Sequence, residues 1–273
     1  MNIQERNKEL LSQIETIKAE HPFWGYRRVW AYLKYRKDIN INHKRVYRLM
    51  KKHNLIVQSN TRLKALRSNA PHRNKPIATR PSQFWGIDMT KVMISSFGWL
   101  YLVVVLDWFS KKIVGYSLKL HSRAEDWLDA LNNAINNQFP EGILSKNKEL
   151  CLISDNGSQP TSQKFMKACS VTEIKQIFTC YNNPKGNADT ERVIRTIKED
   201  LIWIKEWNSP FQLEKELKAW IIRYNTDYPH SSLSYKTPEQ FEKEHLQKLS
   251  TCAEAEQAPC EARCEAVAIV ENF

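Results

Sequence analysis

Three acidic side chains, far apart along the chain, have types and surroundings that suit metal-dependent chemistry. Asp88 lies inside the apolar stretch at residues 84–89, and Asp155 directly follows the apolar run at residues 150–153. Glu191 comes after a further 35 intervening residues, inside a helix-like segment. Carboxylates about 4 Å apart repel by about 4 kcal/mol at an effective dielectric constant of about 20, so proteins rarely cluster three of them without a divalent cation. The triad therefore predicts a metal site that acts on phosphates.

Each member of the triad has a competing explanation. Asp155 begins Asp-Asn-Gly, a common turn sequence, so a role as a turn former is the alternative. Asp107 also ends an apolar strand and is a rival for the first carboxylate, although the polar turn after it favours a tight-turn cap. Asp189 is a rival for the third carboxylate but lies about 200° away around the helix. Each of these signals is weak when taken alone.

The segment that carries the triad alternates apolar strands with amphipathic helices in the order βββαβαβα. This order predicts an α/β fold, a mixed sheet with helices on its faces. Asp88 and Asp155 become neighbours if the first and fourth strands lie side by side, and Glu191 then approaches from the first turn of the last helix. Strands are predicted at residues 84–89, 99–106, 113–118, 150–154 and 174–178, and helices at residues 123–139, 161–169 and 188–203.

The helix that carries Glu191 also presents basic side chains on the same side. Lys198 is seven residues further on and falls within about 20° of Glu191 on the helix surface, and Arg195 at i+4 lies on that side too. Lys185 lies in the polar loop that leads into this helix. A lysine above a metal-bound glutamate can hold a substrate phosphate. The pattern therefore predicts DNA contacts at Lys185, Arg195 and Lys198.

The first 80 residues hold the basic charge of the chain. They carry a net charge of +14, whereas the whole chain carries +11. Apolar spacing predicts helices at residues 5–20, 26–35 and 42–53, the third of them cationic outside and apolar inside. A helix-turn-helix needs such a helix to enter the major groove of DNA, and a small helical bundle with a solvated basic face is the alternative. The predicted DNA contacts are Lys44, Arg45, Arg48, Arg27 and Arg28.

These patterns divide the chain into four parts. A small all-α domain resembling a helix-turn-helix is followed by a basic linker that contains prolines and no acid, then by the catalytic core, and then by a tail predicted to be disordered. The basic linker suits binding along a phosphate backbone. In order, the four parts are residues 1–57, 58–83, 84–249 and 250–273.

The sequence argues against two other features, a zinc site in the tail and a membrane span. Cys252, Cys260 and Cys264 in the tail are candidate zinc ligands, but no histidine follows them there, so a disordered tail is the preferred interpretation. The longest apolar run, at residues 99–106, is less than half of the roughly 20 residues that a membrane span requires. We therefore expect a soluble, cytoplasmic protein without a membrane partner.

Six motifs occur in order along the chain: His21-Pro22-x-x-Gly25-Tyr26-Arg27-Arg28, Trp85-x-x-Asp88-x-Thr90, Asp107-x-Phe109-Ser110, Ser154-Asp155-Asn156-Gly157-x-Gln159, Gly186-Asn187-Ala188-x-x-Glu191-Arg192 and Tyr224-Asn225-x-x-x-Pro229-His230. In this order and spacing they resemble the helix-turn-helix segment and integrase core of bacterial insertion-sequence transposases. The chain looks most like the second-frame (OrfB) protein of the two-reading-frame family. It departs from that family at Tyr228, where an arginine often precedes the Pro-His pair.

The resemblance covers residues 20 to about 245 and implies a ribonuclease H-like fold with a mixed five-stranded sheet. It implies that Asp88, Asp155 and Glu191 bind two Mg²⁺ or Mn²⁺ ions, and oxygen ligands favour such hard cations. It also implies cleavage and transfer of DNA strands at the ends of a mobile element. The implied partners are double-stranded DNA, further copies of the chain on that DNA and a protein from the upstream reading frame, and the implied location is the nucleoid.

Two other functions are compatible with the same residues. The first is a DNA-binding regulator whose nuclease-like core is inactive, which the unusual tail suggests. The second is a ribonuclease H-like nuclease that acts on RNA hybrids, which the basic linker would also suit. Cleavage and joining of DNA ends would distinguish the transposase from both.

Overall fold

The computed structural model describes residues 3–57, 76–143, 149–179 and 186–257. Three predicted features lie outside these ranges: most of the basic linker, Lys185, and the end of the tail that contains Cys260 and Cys264. The boundaries of the four parts of the chain stay predictions.

Three helices build the N-terminal region: α1 (Ile3–Glu20), α2 (Tyr26–Tyr35) and α3 (His43–Lys52). The Asn42 side chain accepts a hydrogen bond from the backbone N–H of Lys44 at 2.9 Å and so caps the start of α3. Val46 and Met50 of α3 are fully buried, which leaves its basic side chains for the remaining surface. The predicted helices agree with these bounds to within two residues.

A mixed five-stranded sheet forms the middle of the core. Its strands are β1 (Phe84–Ile94), β2 (Gly98–Asp107), β3 (Ile113–Lys119), β4 (Cys151–Ser154) and β5 (Lys175–Phe178). Their order in the sheet is β3-β2-β1-β4-β5, with β2 antiparallel to β1 and β3, and with β4 parallel to β1 and β5. This is the predicted ribonuclease H-like arrangement, and it sets β1 beside β4.

Strand β1 continues for five residues beyond its predicted end at residue 89. The polar residues after this point suggest the end of a strand, but Val92 and Ile94 are buried, and β1 pairs with β2 as far as Ile94 opposite Gly98. Gly98 has a φ of +85°, which a residue without Cβ adopts easily, so the hairpin can close there. Asp88 consequently lies in the middle of a long paired strand.

Helices cover both faces of the sheet. One face is packed by α4 (Ala124–Gln138) and α5 (Gln163–Val171), and the other by α6 (Ala188–Asp200) and α7 (Pro210–Asp227). A last helix, α8 (Pro238–Gln257), contacts α7 and runs through the predicted end of the core at residue 249. Among the described residues, no helix combines the length and the apolar character needed to cross a membrane.

The N-terminal helices pack directly against the core. Trp24 donates a hydrogen bond through Nε1 to Asp200 Oδ2 at 2.9 Å, and the Arg28 guanidinium carbon lies 4.8 Å from the centre of the Tyr228 ring. Apolar residues of both parts form one continuous buried cluster, with Trp24 at the junction. The helical region is therefore held in a defined position relative to α6.

Asp200 makes the stability of this interface depend on pH. Burial raises the pKa of its carboxyl group from 3.8 to about 6, against the hydrogen bond from Trp24 and the charges of Arg28 and Lys18. Because the folded chain binds this proton more tightly than the unfolded chain, the carboxyl group stabilises the fold most below pH 3.8. That contribution is lost as the pH rises through about 6.

We expect Asp200→Asn to raise the free energy of unfolding by about 1–2 kcal/mol at pH 8, because the amide removes the cost of a buried charge. At about pH 4 the native carboxyl group is already protonated, so the same substitution should change the free energy of unfolding much less. Urea denaturation of both proteins at the two pH values measures the difference. An equal effect of Asp200→Asn at both pH values would contradict a raised pKa of Asp200.

Candidate active site

Asp88 lies half-buried on β1, the central strand of the sheet, beside the end of β4. Its Oδ1 accepts a hydrogen bond from the backbone N–H of Met89 at 2.8 Å. The parallel register pairs Gly86 with Ile153, and extending it by two residues places Asp155 opposite Asp88. The strand order thus brings the first two acids together.

Asp155 is at once a turn residue and an exposed carboxylate. Its Oδ1 accepts a hydrogen bond from the backbone N–H of Gly157 at 3.1 Å, the turn contact that Asp-Asn-Gly predicts. Asn156 donates through Nδ2 to the Thr179 carbonyl oxygen at 2.9 Å and so ties the turn to the end of β5. The two interpretations of Asp155 are therefore compatible, since the turn also orients the carboxylate.

Glu191 is exposed in the first turn of α6, and the start of this helix is fastened to β1. Asn187 donates through Nδ2 to the Ile87 carbonyl oxygen at 3.1 Å and makes no side-chain cap to its own helix. Trp108 Nε1 donates to Thr190 Oγ1 at 3.3 Å on the buried side of the same turn. Asn187 is therefore a positioning residue that links the helix of the third acid to the strand of the first.

The three acids share one electrostatic environment. Burial raises the pKa of Asp88 to about 6, and the negative charges of Asp155 and Glu191 add to the increase. The Met89 N–H and the Lys198 ammonium act in the opposite direction. A nearby like charge disfavours ionisation of a carboxyl group, and a nearby cation favours it. The three predicted acids and the predicted phosphate-binding lysine therefore lie close enough to influence one ionisable group.

The acids do not form a closed metal cage in the structure. Within the four described ranges, no group of three or more His, Cys, Asp or Glu side chains is placed to hold a metal ion. Asp155 and Glu191 are both exposed, so their side chains can change rotamer about their χ angles. The donor set consists of carboxylate oxygens alone, which fits a hard divalent cation such as Mg²⁺.

The two rival acids have partners elsewhere. Asp107 is buried at the end of β2, where its carboxylate accepts hydrogen bonds at 2.6, 2.7 and 3.1 Å from the backbone N–H groups of Ser82, Phe109 and Ser110. This confirms the tight-turn cap. Asp189 pairs with Lys111 at 2.8 Å. Both carboxylates thus have structural partners away from the triad.

The basic residues of the N-terminal helices that are predicted to contact DNA differ in their exposure and in their contacts with other residues. Lys44 and Arg48 are exposed on α3. Arg45 donates from Nε and Nη2 to Asn7 Oδ1, at 3.1 and 2.7 Å, which ties it to α1. Arg28 is stacked at the interface with the core. Of the predicted DNA contacts on α3, Lys44 and Arg48 are therefore the exposed ones, and all of these contacts stay predictions.

The remaining predicted contacts lie on α2 and α6. Arg27 is exposed and donates through Nε to the Tyr26 hydroxyl at 3.1 Å. Arg195 is exposed and pairs with Glu199 at 2.7 Å, one turn further along α6. An exposed pair of this kind contributes little to stability, so a DNA phosphate can compete for the arginine.

Comparisons with known proteins connect this geometry to a family. Family profiles described as integrase core domain match residues 78–184 and 172–238, and one described as HTH-like domain matches residues 5–64. The Escherichia coli transposase InsD of insertion element IS2A/D/F/H/I/K is 25% identical over 238 residues, which are 85% of this chain and 78% of that protein. The chain belongs to the insertion-sequence transposases with an integrase-like core.

This transposase also has neighbours among solved structures. A chain of the simian T-cell lymphotropic virus intasome, solved in complex with PP2A regulatory subunit B56 gamma, is 16% identical with a TM-score of 0.47, over 78% of this chain and 73% of that one. The HTLV-2 integrase catalytic core domain in complex with magnesium is 20% identical with a TM-score of 0.44, over 61% of the transposase and 99% of that chain.

Proposed function

We propose that this transposase cleaves DNA at the ends of an insertion sequence and joins those ends to target DNA, with two Mg²⁺ or Mn²⁺ ions held by Asp88, Asp155 and Glu191. The observation that carries the proposal is the geometry of β1, β4 and α6: the parallel register places Asp155 opposite Asp88, and Asn187 holds the start of the Glu191 helix against β1. Three carboxylates that share one environment gain most from a cation placed between them.

Each side chain has a distinct part in this proposal. Asp88 supplies a carboxylate fixed by the central strand, and the turn at Gly157 orients Asp155. Glu191 is carried by a helix that Asn187 holds against β1. When bound, two divalent ions would supply electrostatic stabilisation for the attacking and leaving oxygens of an in-line displacement at phosphorus. Lys198, beside the acids, is suited to holding a substrate phosphate through its ammonium group.

The proposed partners follow from the same assignment. Double-stranded DNA would bind along the basic N-terminal helices, and a second copy of the chain would be needed to hold the other end of the element. We also propose a protein from the upstream reading frame as a partner. Mass measurement of the chain on DNA ends, with and without that protein, tests both the number of copies and the need for the partner.

The test of the function compares two substrates in one gel assay. Duplexes that carry the ends of the element and RNA–DNA hybrids of the same sequence are incubated with the full chain in Mg²⁺, Mn²⁺ or EDTA. We expect cleavage and joining of the DNA ends with either metal and no reaction in EDTA. Binding without cleavage at any Mn²⁺ concentration would identify an inactive regulator, and cleavage of the hybrid alone would identify a nuclease.

A further inference from the structure

A second polar cleft lies on the opposite side of α6 from the acids. It has a volume of about 210 Å³ and lies where α2, the turn after β2, α6 and the 3-10 segment Ser231–Leu233 meet. Consecutive helical residues are about 100° apart, so Glu191 and Arg192 point to different sides of α6. One helix thus carries the third acid on one side and a wall of this cleft on the other.

The cleft carries more positive than negative charge. Arg28, Lys111 and Arg192 line it together with a single carboxylate, that of Asp189, which pairs with Lys111 at 2.8 Å. In the described parts of the chain, neither Arg28 nor Arg192 lies within ion-pair distance of a carboxylate. Two guanidinium groups therefore remain for an anion, and guanidinium groups match phosphate oxygens in geometry as well as in charge.

His230 is a second, independent feature of the cleft that suits a bound ligand. Its Nε2 is buried and has no hydrogen-bond partner among the described residues. Burial lowers the pKa of His230 to about 3, and the charges of Arg28, Lys111 and Arg192 lower it further, so all three cations act on this ring. A buried polar atom without a partner costs free energy that a bound group can recover.

The rim of the cleft supplies neutral donors. Ser231 and Ser232 are exposed at the mouth, and Thr196 lies one turn after Arg192 on α6. Hydroxyl groups and arginine together are the usual donors to the phosphates of DNA. Because Arg192 is also exposed, the backbone of a DNA strand can reach the cleft from solvent.

We propose that this cleft binds a backbone phosphodiester of the DNA on which the transposase acts, between the N-terminal helices and the catalytic core. The inference rests on the proposed function, since it names a second point at which the same DNA is held. Arg28 comes from α2 and Arg192 from α6, so a strand bound here would be positioned relative to the helix that carries Glu191.

The test measures equilibrium binding of duplex ends to the full chain in EDTA, in a Glu191→Gln background that leaves the DNA intact. Arg192→Gln should lower affinity and reduce the slope of log K against log salt by about 0.9, the value for one phosphate contact. Ser232→Glu, which introduces a negative charge at the mouth, should also lower affinity. Arg223→Gln on α7, an exposed arginine outside the cleft, is the matched control and should leave the slope unchanged.

An unchanged slope in Arg192→Gln would overturn the cleft proposal. Binding of inorganic phosphate to the same variant identifies the source of the anion. If Arg192→Gln loses phosphate binding but keeps the salt dependence of DNA binding, the cleft binds a free anion, and the proposal is overturned. The experiment distinguishes failure of the cleft proposal from failure of the proposed function. Normal end joining by the chain without substitutions, beside an unchanged slope, rejects only the cleft, whereas absence of end joining rejects the function.

Discussion

Replacing Glu191 with Gln is expected to lower metal-dependent cleavage and joining of DNA ends by about 10³-fold or more, which corresponds to about 4 kcal/mol in the activation barrier. Gln keeps the size and shape of the side chain but removes the negative charge that a divalent cation requires. Glu191 is exposed on α6, so the fold should tolerate the change. DNA affinity should change by less than about twofold, because the basic helices that are proposed to bind DNA are untouched.

Two further measurements make this prediction specific to the site. Glu206→Gln removes an exposed carboxylate beyond α6 and is the matched control, for which we expect unchanged joining. The charge of Glu191 raises the pKa of Asp88, so Glu191→Gln should lower that pKa, which carboxyl ¹³C chemical shifts can follow. Joining at the original rate in Glu191→Gln would reject the assignment of the third acid.

The sequence predicts the sheet and the neighbourhood of the acids well because both depend on local patterns. Apolar runs locate all five strands, and the turn chemistry of Asp-Asn-Gly locates the exit after β4. Asp107 shows the limit of such patterns. From the sequence, an acid at the end of a strand can be either a metal ligand or the cap of a turn. The hydrogen bonds that three backbone N–H groups donate to the Asp107 carboxylate identify it as a cap.

Features that depend on contacts between distant segments could not be predicted. The hydrogen bond from Trp24 to Asp200 spans 176 residues, and the stacking of Arg28 on Tyr228 spans a comparable distance. Periodicity describes which face of a helix is buried but not which partner covers it. For the same reason the sequence predicts Arg28 as a DNA contact but predicts neither its stacking on Tyr228 nor the cleft that it shares with α6.

The close packing of α6 on β1 depends on Gly86, and Gly86→Ala is expected to damage the site through this contact. A Cβ there would lie 2.1 Å from Thr190 Oγ1, 2.4 Å from Trp108 Nε1 and 2.8 Å from Asn187 Oδ1. All three are far inside contact distance, and a buried threonine and tryptophan have little room to move. Overpacking of this kind should lower the free energy of unfolding by about 1–3 kcal/mol, measured by urea denaturation.

The larger effect of Gly86→Ala should be on activity, because two of the three atoms that must move, Thr190 Oγ1 and Asn187 Oδ1, belong to the start of α6, which carries Glu191. A displacement of about 1 Å at a reacting centre can lower the rate about 100-fold, so we expect a loss of joining of that size at a temperature where the variant is folded. Gly115→Ala is the control for destabilisation alone, since its Cβ would meet the α4 backbone at 2.5 Å from Ala130 O and Ala134 N. Gly25→Ala, with no atom within 4 Å of the added Cβ, is the neutral control. If both Gly86→Ala and Gly115→Ala lose activity only in proportion to their stability, then the contact between β1 and α6 does not position Glu191, and another element must do so.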